Sequence, residues 1–213
     1  MENTLLENNQ VEICGEIVSD FFYNHEVFGE AFHLVYVKVE RLSGTEDIIP
    51  VMVSERLIDV TSRCEGQPIR ISGQYRSYNR HEGNRSHLML FVFAREIEYT
   101  DNRILGPQSN SIYLEGYICK EPVYRETPLG REIADLLIAV NRPYGMSDYI
   151  PCICWGRNAR FANSLAVGSR CAVWGRVQSR EYVKRISDTE VEKRIAYEVS
   201  VSRLGLREQI MEV

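Results

Sequence analysis

Tyr149 and Trp155 are the first residues whose types and spacing suggest chemistry. They are six residues apart in one apolar stretch, and Arg157 follows shortly after them. Residues an even number apart lie on one face of a β-strand, so we expect both rings to project away from the core face that carries Ile150. Flat exposed rings stack on nucleobases of any sequence, and adjacent cations bind phosphates. The pattern is typical of a surface that binds a single nucleic-acid strand.

A second combination of the same residue types, Arg180 and Tyr182, opens a charged stretch that runs to Arg194. Two interpretations of each feature stay open. Trp155 could pack in a core, and Tyr182 could be an ordinary strand residue, since tyrosine is common in strands. The charged stretch could be a solvated hairpin or a hairpin that grips a bound strand.

The elements that position these residues occur twice in the chain. Val11–Ile17 reappears as Ile112–Ile118, and further landmarks recur at an offset of 101 or 102 residues. The matching landmarks are Gly29 with Gly130, Pro50 with Pro151, Gly66 with Gly168, and Gly73 with Gly175. So constant an offset indicates two copies of one domain. A Gly/Pro/Ser-rich seam at 105–110 separates them, which predicts domains at 1–104 and 109–213.

Each copy has the pattern of a small all-β domain. In the second copy the predicted strands cover Ile112–Leu114, Ala134–Val140, Ile150–Trp155, Cys171–Val177 and Ala196–Val201. Helical spacing after the third strand predicts short helices over 157–165 and 55–62, with Ser54 as the N-cap of the latter. Five strands with one helix between strands 3 and 4 is the order of an OB-fold barrel. We therefore predict an all-β protein of two tandem five-stranded OB-fold barrels.

The distribution of charge differs between the copies. The formal net charge of the chain is −5. Residues 1–103 hold 10 Lys and Arg against 17 Asp and Glu, whereas residues 104–213 hold 15 against 13. The first copy is therefore acidic and the second slightly basic, which favours the second copy as the one that binds an anionic ligand.

The remaining composition predicts a cytoplasmic protein that needs no metal or other cofactor. No run of about 18 apolar residues is present, and Met1–Gln10 lacks the features of a signal peptide, so no membrane association is expected. The six cysteines lack zinc-site spacing. We interpret them as small buried apolar residues of a reducing compartment.

Short motifs of the second copy occur in a fixed order. They are Asn110-x-Ile112-x-Leu114-x-Gly116, then Pro122, Arg125, Thr127-Pro128 and Gly130, then Ala139-Val140-Asn141-Arg142, Cys154-Trp155-Gly156-Arg157-x-Ala159, Gly168-Ser169, Gly175-Arg176 and Ser179-Arg180-x-Tyr182. This ordered set resembles the bacterial single-stranded-DNA-binding protein family over nearly all of residues 110–205. The resemblance implies an OB fold and sequence-independent binding and protection of single-stranded DNA in replication, recombination or repair.

The resemblance also implies roles for individual residues. Aromatic side chains of the family stack on bases, and nearby cations hold phosphates. The stacking role carries over to Tyr144, Tyr149, Trp155 and Tyr182. The matching cations are Arg142, Arg157 and Arg180, and the predicted binding set also includes Arg176 and Lys184.

The first copy departs from this pattern. Ser43, Ile48 and Ser54 stand where the second copy has Tyr144, Tyr149 and Trp155, so the stacking residues are absent. We therefore expect the first domain to be a scaffold, a dimerisation unit or a partner surface. An apolar stripe of Ile48, Pro50 and Met52, expected to face outward, predicts a homodimer. The acidic tail by which family members usually recruit replication partners is not expected after 208–213.

No enzymatic activity or catalytic residue is predicted. The sequence contains no H-E-x-x-H motif, P-loop, G-x-S-x-G motif or paired-carboxylate pattern. The alternative to a single-stranded-DNA-binding protein is an OB-fold module for protein assembly that has lost nucleic-acid binding. RNA also stays open as a ligand, because stacking alone does not distinguish the two nucleic acids.

Overall fold

The computed structural model describes residues 7–83, 85–100, 109–185 and 191–207. The first half contains six strands, which are β1 (Asn9–Ile17), β2 (Phe22–Val27), β3 (Glu30–Glu40), β4 (Glu46–Ser54), β5 (Pro68–Glu82) and β6 (Arg85–Tyr99). The second half repeats them as β7 (Asn110–Ile118), β8 (Val123–Glu126), β9 (Glu132–Asn141), β10 (Ser147–Trp155), β11 (Arg170–Arg185) and β12 (Val191–Leu206). One α-helix, α1 (Arg157–Asn163), lies between β10 and β11. The predicted all-β class is confirmed.

Five strands of each half form a closed circuit of hydrogen-bonded pairs. In the first half β1 pairs with β3, β3 with β4, β4 in parallel with β6, β6 with β5, and β5 with β1. In the second half β7, β9, β10, β12 and β11 repeat this circuit. A sixth, short strand, β2 or β8, pairs with the outer side of β3 or β9 and was not predicted.

Two of the repeated glycines, Gly116 and Gly175, allow neighbouring strands of the second circuit to approach each other closely. A Cβ atom on Gly116 would lie 2.3 Å from the carbonyl oxygen of Ala139, and one on Gly175 would lie 2.2 Å from that of Ser200. No side chain fits at such distances, so both positions require glycine. Gly175 also follows a register shift between β11 and β12, where a bulge bends the strand around the circuit.

The inward faces of the strands form the core. Tyr149 and Trp155 point outward, whereas Ile150, Cys152 and Cys154 are almost completely buried, as the alternation predicts. Five of the six cysteines are buried and unpaired, and Cys119 is half-buried. The interpretation of the cysteines as small apolar residues is therefore confirmed for these five. Among the described residues, no helix combines the length and apolar character needed to cross a bilayer.

The predicted helix of the first half is wrong. Residues 55–62 form turns, whereas its counterpart in the second half is helical over Arg157–Asn163, two residues shorter than predicted. The Oγ atom of Ser54 accepts a hydrogen bond from the Arg56 nitrogen, and the Asp59 carboxylate accepts three from Thr61 and Ser62. These local side-chain bonds offer the backbone an alternative to the helical pattern.

The two halves are joined edge to edge by β1 and β7. These strands pair in antiparallel orientation, with Val11 opposite Ile112, so hydrogen bonds link all twelve strands. The long hairpins β5–β6 and β11–β12 each extend beyond their own circuit and contact the other half, β5 at β10 and β11 at β4. The long hairpin of each half therefore packs against a strand of the other half.

This arrangement corrects the prediction of an exposed apolar stripe on the first half. Pro50 and Met52 are buried, and Ile48 is half-buried. Met52 lies beside Phe93 of β6, and the Ile48 nitrogen donates a hydrogen bond of 3.1 Å to the Ser179 hydroxyl of β11. The stripe is covered within the chain itself, so it does not support a homodimer.

Candidate nucleic-acid interface

The outer face of β10 presents two aromatic rings. Tyr149 is 43% exposed and Trp155 is 41% exposed, so a substantial part of each ring is accessible from solvent. Between them the outward position 151 is occupied by a half-buried proline and 153 by a buried isoleucine. The two rings therefore project from one strand face with apolar residues between them, and exposed rings of this kind can stack on bases.

Tyr144 lies in the turn that connects β9 to β10. The turn is a short 3₁₀ segment, Pro143–Gly145, closed by a hydrogen bond of 2.8 Å from the Arg142 nitrogen to the Met146 carbonyl. Tyr144 itself has a φ of +63° and is almost completely exposed. The Arg142 guanidinium lies 3.5 Å from the buried carboxylate of Asp148 and is thus oriented by that carboxylate.

The β11–β12 hairpin carries the other predicted residues. Arg180, Tyr182 and Lys184 alternate along β11 and hence share one face, the continuation of the outer face of the second circuit. The Arg180 guanidinium lies 6.0 Å from the centre of the Tyr182 ring and 3.6 Å from the carboxylate of Glu198. Tyr182 is 36% exposed and Lys184 is exposed, so both side chains are accessible from solvent.

Arg157 and Arg176 differ in their surroundings. Arg157 is the first residue of α1, directly after the Trp155–Gly156 turn, and its side chain is exposed. Arg176 is half-buried beside Arg41 of the first half. Burial first, and the Arg41 charge second, lower the pKa of Arg176, and its Nε atom is buried without a hydrogen-bond partner among the described residues. Arg176 is therefore a cation whose bonding capacity is only partly used.

Residues of the first half position the end of β10 that carries Tyr149. The backbone nitrogen of Tyr149 donates a hydrogen bond of 2.7 Å to the Ser77 hydroxyl, and the Ser77 nitrogen donates one of 2.8 Å to the Asp148 carboxylate. Arg76 adds an ion pair of 2.9 Å to the same carboxylate. The first-half hairpin thus fixes the strand end that carries Tyr149, which is a role that no local pattern in the sequence indicated.

At the described positions that match Tyr144, Tyr149 and Trp155, the first half has Ser43, Ile48 and Ser54 and hence no aromatic ring. Ser54 is buried and donates a hydrogen bond to Glu30. Exposed aromatic residues of this half lie elsewhere: Phe22, Tyr23 and Phe28 at the β2–β3 hairpin, Tyr78 on β5 and Tyr99 on β6. The sequence predicted that rings are missing at these matched positions, but it did not predict where exposed aromatic residues remain.

One aromatic residue next to the interface was missed. Trp174 lies on the outer face of β11, where its ring contacts the Arg203 guanidinium at 4.5 Å and the Tyr113 ring at 5.2 Å. The sequence did contain a signal, because the repeat places Ser72 at this position in the first copy. A large aromatic residue that replaces a serine in the more basic copy marks a position worth inspection.

Comparisons with known proteins agree with this geometry. Residues 109–206 match the model of the Single-strand binding protein family. Single-stranded DNA-binding protein 3 of Listeria innocua is 39% identical over 93 residues, which cover 38% of this chain and 58% of the relative. Single-stranded DNA-binding protein A of Bacillus subtilis is 37% identical over 94 residues, with coverage of 39% and 55%. The chain therefore spans a little over half the length of the curated relatives it matches.

Most of the chain is similar in fold to solved structures. The crystal structure of the wild-type single-stranded DNA binding protein from Thermus aquaticus superimposes with a TM-score of 0.73 at 21% identity, covering 94% of this chain and 93% of the other. This likeness concerns the fold of both halves, whereas the family model matches only the second half. The family match thus covers residues 109–206, a little under half of this chain, and there the chain is similar to the Single-strand binding protein family.

Proposed function

We propose that this chain binds single-stranded DNA without regard to sequence, mainly on its second half, and thereby protects the strand in replication, recombination or repair. The observation that carries the proposal is the pair of exposed rings, Tyr149 and Trp155, on an apolar strand face. Stacking on such rings needs no base identity, because every base has a π-face. No catalytic step is part of the proposal.

The path of the strand follows from the placement of the predicted residues. Trp155 and Tyr149 line β10, Tyr144 extends this line at the turn, and Tyr182 with Lys184 continues it onto the hairpin. The four arginines, Arg142, Arg157, Arg176 and Arg180, lie beside these rings and supply positive charge for the phosphates. The nearly neutral second half is thus basic where the rings are exposed.

The test is a titration of the full chain with a labelled oligo-dT strand, followed by fluorescence anisotropy. Trp155→Ala is expected to weaken binding by about 1–3 kcal/mol, the range found for loss of one base-stacking ring. Ser54→Ala is the matched change in the first half, and it should leave the affinity unchanged. Absence of oligo-dT binding by the unaltered chain would refute the proposal and favour the OB-fold assembly module. An equal titration with oligo-rU measures any preference for RNA.

We also propose that the domain boundaries are 1–104 and 109–213 and that the protein acts as a cytoplasmic homodimer. With the stripe of the first half covered, support for the dimer comes from the second hairpin. Val183, Val191 and Ile195 are 60%, 65% and 49% exposed on one face of it. Exposed apolar patches of this kind mark contact surfaces. Sedimentation that shows only a species of 24.6 kDa at micromolar concentration would exclude the dimer.

A further inference from the structure

A groove runs between the two halves beside the proposed path of the strand. Its volume is about 790 Å³, and one wall is the end of β3 and the following turn of the first half, residues 39–43. The other wall is the outer face of the second circuit and includes Trp155, Trp174 and Arg176. The groove therefore connects the predicted stacking residue Trp155 with the unassigned residue Trp174.

The repeat provides an internal comparison for this groove. The equivalent depression on the first half has a volume of about 440 Å³ and is lined by Ser72 and Gln74 where the groove has Trp174 and Arg176. Three glutamates, Glu7, Glu12 and Glu96, and one arginine line the depression. The groove instead has two arginines and one glutamate. The two depressions are lined by matching strand positions. The groove between the halves carries more arginines than glutamates and two tryptophans, whereas the lining of the first-half depression carries more glutamates and no tryptophan.

Arg176 points to an anionic occupant of the groove. Its Nε atom is buried and has no hydrogen-bond partner within the part of the chain that the structure describes, and its guanidinium donates a long hydrogen bond of 3.5 Å to Gln178. The Asp47 carboxylate, whose charge acts on Arg176, already accepts two bonds from Arg41 at 2.7 and 2.6 Å and one from the Ser179 nitrogen at 2.7 Å. An unsatisfied buried guanidinium donor is costly, and a phosphate oxygen would satisfy it.

Trp174 has cations around it that fit a base and its phosphate. Arg203 lies 4.5 Å from the ring and has no ion pair within the described residues, while Arg207 lies 5.9 Å away and also pairs with Glu115. A guanidinium that covers an indole can move aside and bind phosphate when a base takes its place on the ring. The free charge of Arg203 therefore supports a nucleotide more than a purely structural contact.

We propose that the single strand continues from Trp155 through this groove and that one of its bases stacks on Trp174, with Arg176 and Arg203 binding the adjoining phosphates. The proposal rests on the proposed function and extends it, because the first half then forms a wall of the binding site. The nucleotides in the groove belong to the same DNA strand and follow the nucleotides that stack on Trp155. The acidic depression on the first half stays empty.

The chain offers a direct probe, since Trp155 and Trp174 are its two tryptophans. Trp155→Phe leaves Trp174 as the sole source of indole fluorescence, and Trp174→Phe leaves Trp155. Both variants are titrated with oligo-dT strands of increasing length, and binding is monitored separately by the anisotropy of a labelled strand. We expect quenching of Trp174 and its protection from acrylamide, at a strand length greater than that needed to quench Trp155.

The possible outcomes distinguish the groove proposal from the proposed function. If the labelled strand binds and quenches Trp155 but leaves the emission and acrylamide accessibility of Trp174 unchanged, the groove proposal is wrong and the proposed function stands. If no strand binds, both are wrong.

A second measurement is affinity, where Trp174→Ala should weaken binding of long strands by about 5- to 150-fold. Short strands that reach only Trp155 should bind unchanged, and Ser72→Ala is the matched control. Should Trp174→Ala unfold the protein, the fluorescence of the Trp155→Phe variant still decides.

Discussion

The carboxylate of Asp47 in the first half accepts a hydrogen bond of 2.7 Å from the backbone nitrogen of Ser179 in the second. The repeat reproduces this contact in the opposite direction, since Asp148 accepts one of 2.8 Å from the nitrogen of Ser77. Both carboxylates are completely buried, and each also pairs with an arginine of its own half, Arg41 or Arg142. The hairpin of each half is thereby fixed to the barrel of the other.

From this relationship we predict that Asp148→Asn loosens the contact between the halves. The change leaves Arg76 and Arg142 without a buried counter-charge, and loss of one partner of a buried pair typically costs about 3–5 kcal/mol. The amide oxygen of asparagine can still accept the Ser77 bond, so we expect about 3 kcal/mol of lost unfolding free energy. Urea denaturation measures it. Asp20→Asn, at an exposed position, should change stability by less than about 0.5 kcal/mol.

A second prediction concerns closure of the second circuit at Gly116. Gly116→Ala places a methyl group 2.3 Å from the Ala139 carbonyl oxygen, so β7 and β9 must separate. Overpacking of this kind costs about 1–3 kcal/mol or more, and the melting temperature should fall accordingly. Gly205→Ala is the control, because a Cβ there meets no atom within 4 Å. Equal stability of the two variants would show that the circuit tolerates an open β7–β9 edge.

The features that the sequence predicted are those that depend on local alternation and on the repeat. Tyr149 and Trp155 face outward because strands alternate, and the second domain carries them because its repeat partners are Ile48 and Ser54. The spacing of Gly15, Gly73, Gly116 and Gly175 indicated a common fold, since strand contacts in a barrel require glycine at fixed places.

What the sequence missed depends on contacts between distant segments. The burial of Pro50 and Met52 follows from neighbouring strands and a crossing hairpin, and no pattern within β4 records these neighbours. The helix at 55–62 failed because Ser54 and Asp59 bond to nearby backbone and side chains, which competes with helical spacing. Trp174 was overlooked because its significance lies in the groove, which only the assembly of both halves creates.

A third prediction concerns thiol reactivity. Burial raises the pKa of Cys154 to about 12 and that of Cys171 to about 11, and it raises the pKa of Cys152 well above its usual range. A raised thiol pKa leaves little reactive thiolate at pH 8. Ellman's reagent should therefore modify at most the half-buried Cys119 rapidly in the folded protein, and all six thiols after denaturation. Rapid modification of several thiols at pH 8 without denaturant would contradict the buried placement.

The last prediction separates phosphate binding from stacking through its dependence on salt. Arg157 is exposed at the start of α1, with no ion pair among the residues that the structure describes, so its charge is available to a phosphate. Each phosphate contact to a single strand contributes about 0.7 to the slope of log affinity against log salt concentration, because bound counterions are released. Arg157→Ala should therefore reduce that slope by about 0.7, whereas Trp155→Ala should weaken binding and leave the slope nearly unchanged.

Arg56 is the matched arginine of the first half, and it is already paired with Glu30 at 3.4 Å. Arg56→Ala should leave both affinity and slope as they are. If Arg56→Ala lowers the slope as much as Arg157→Ala does, the strand contacts both halves equally, and the assignment of phosphate binding to the second half is wrong.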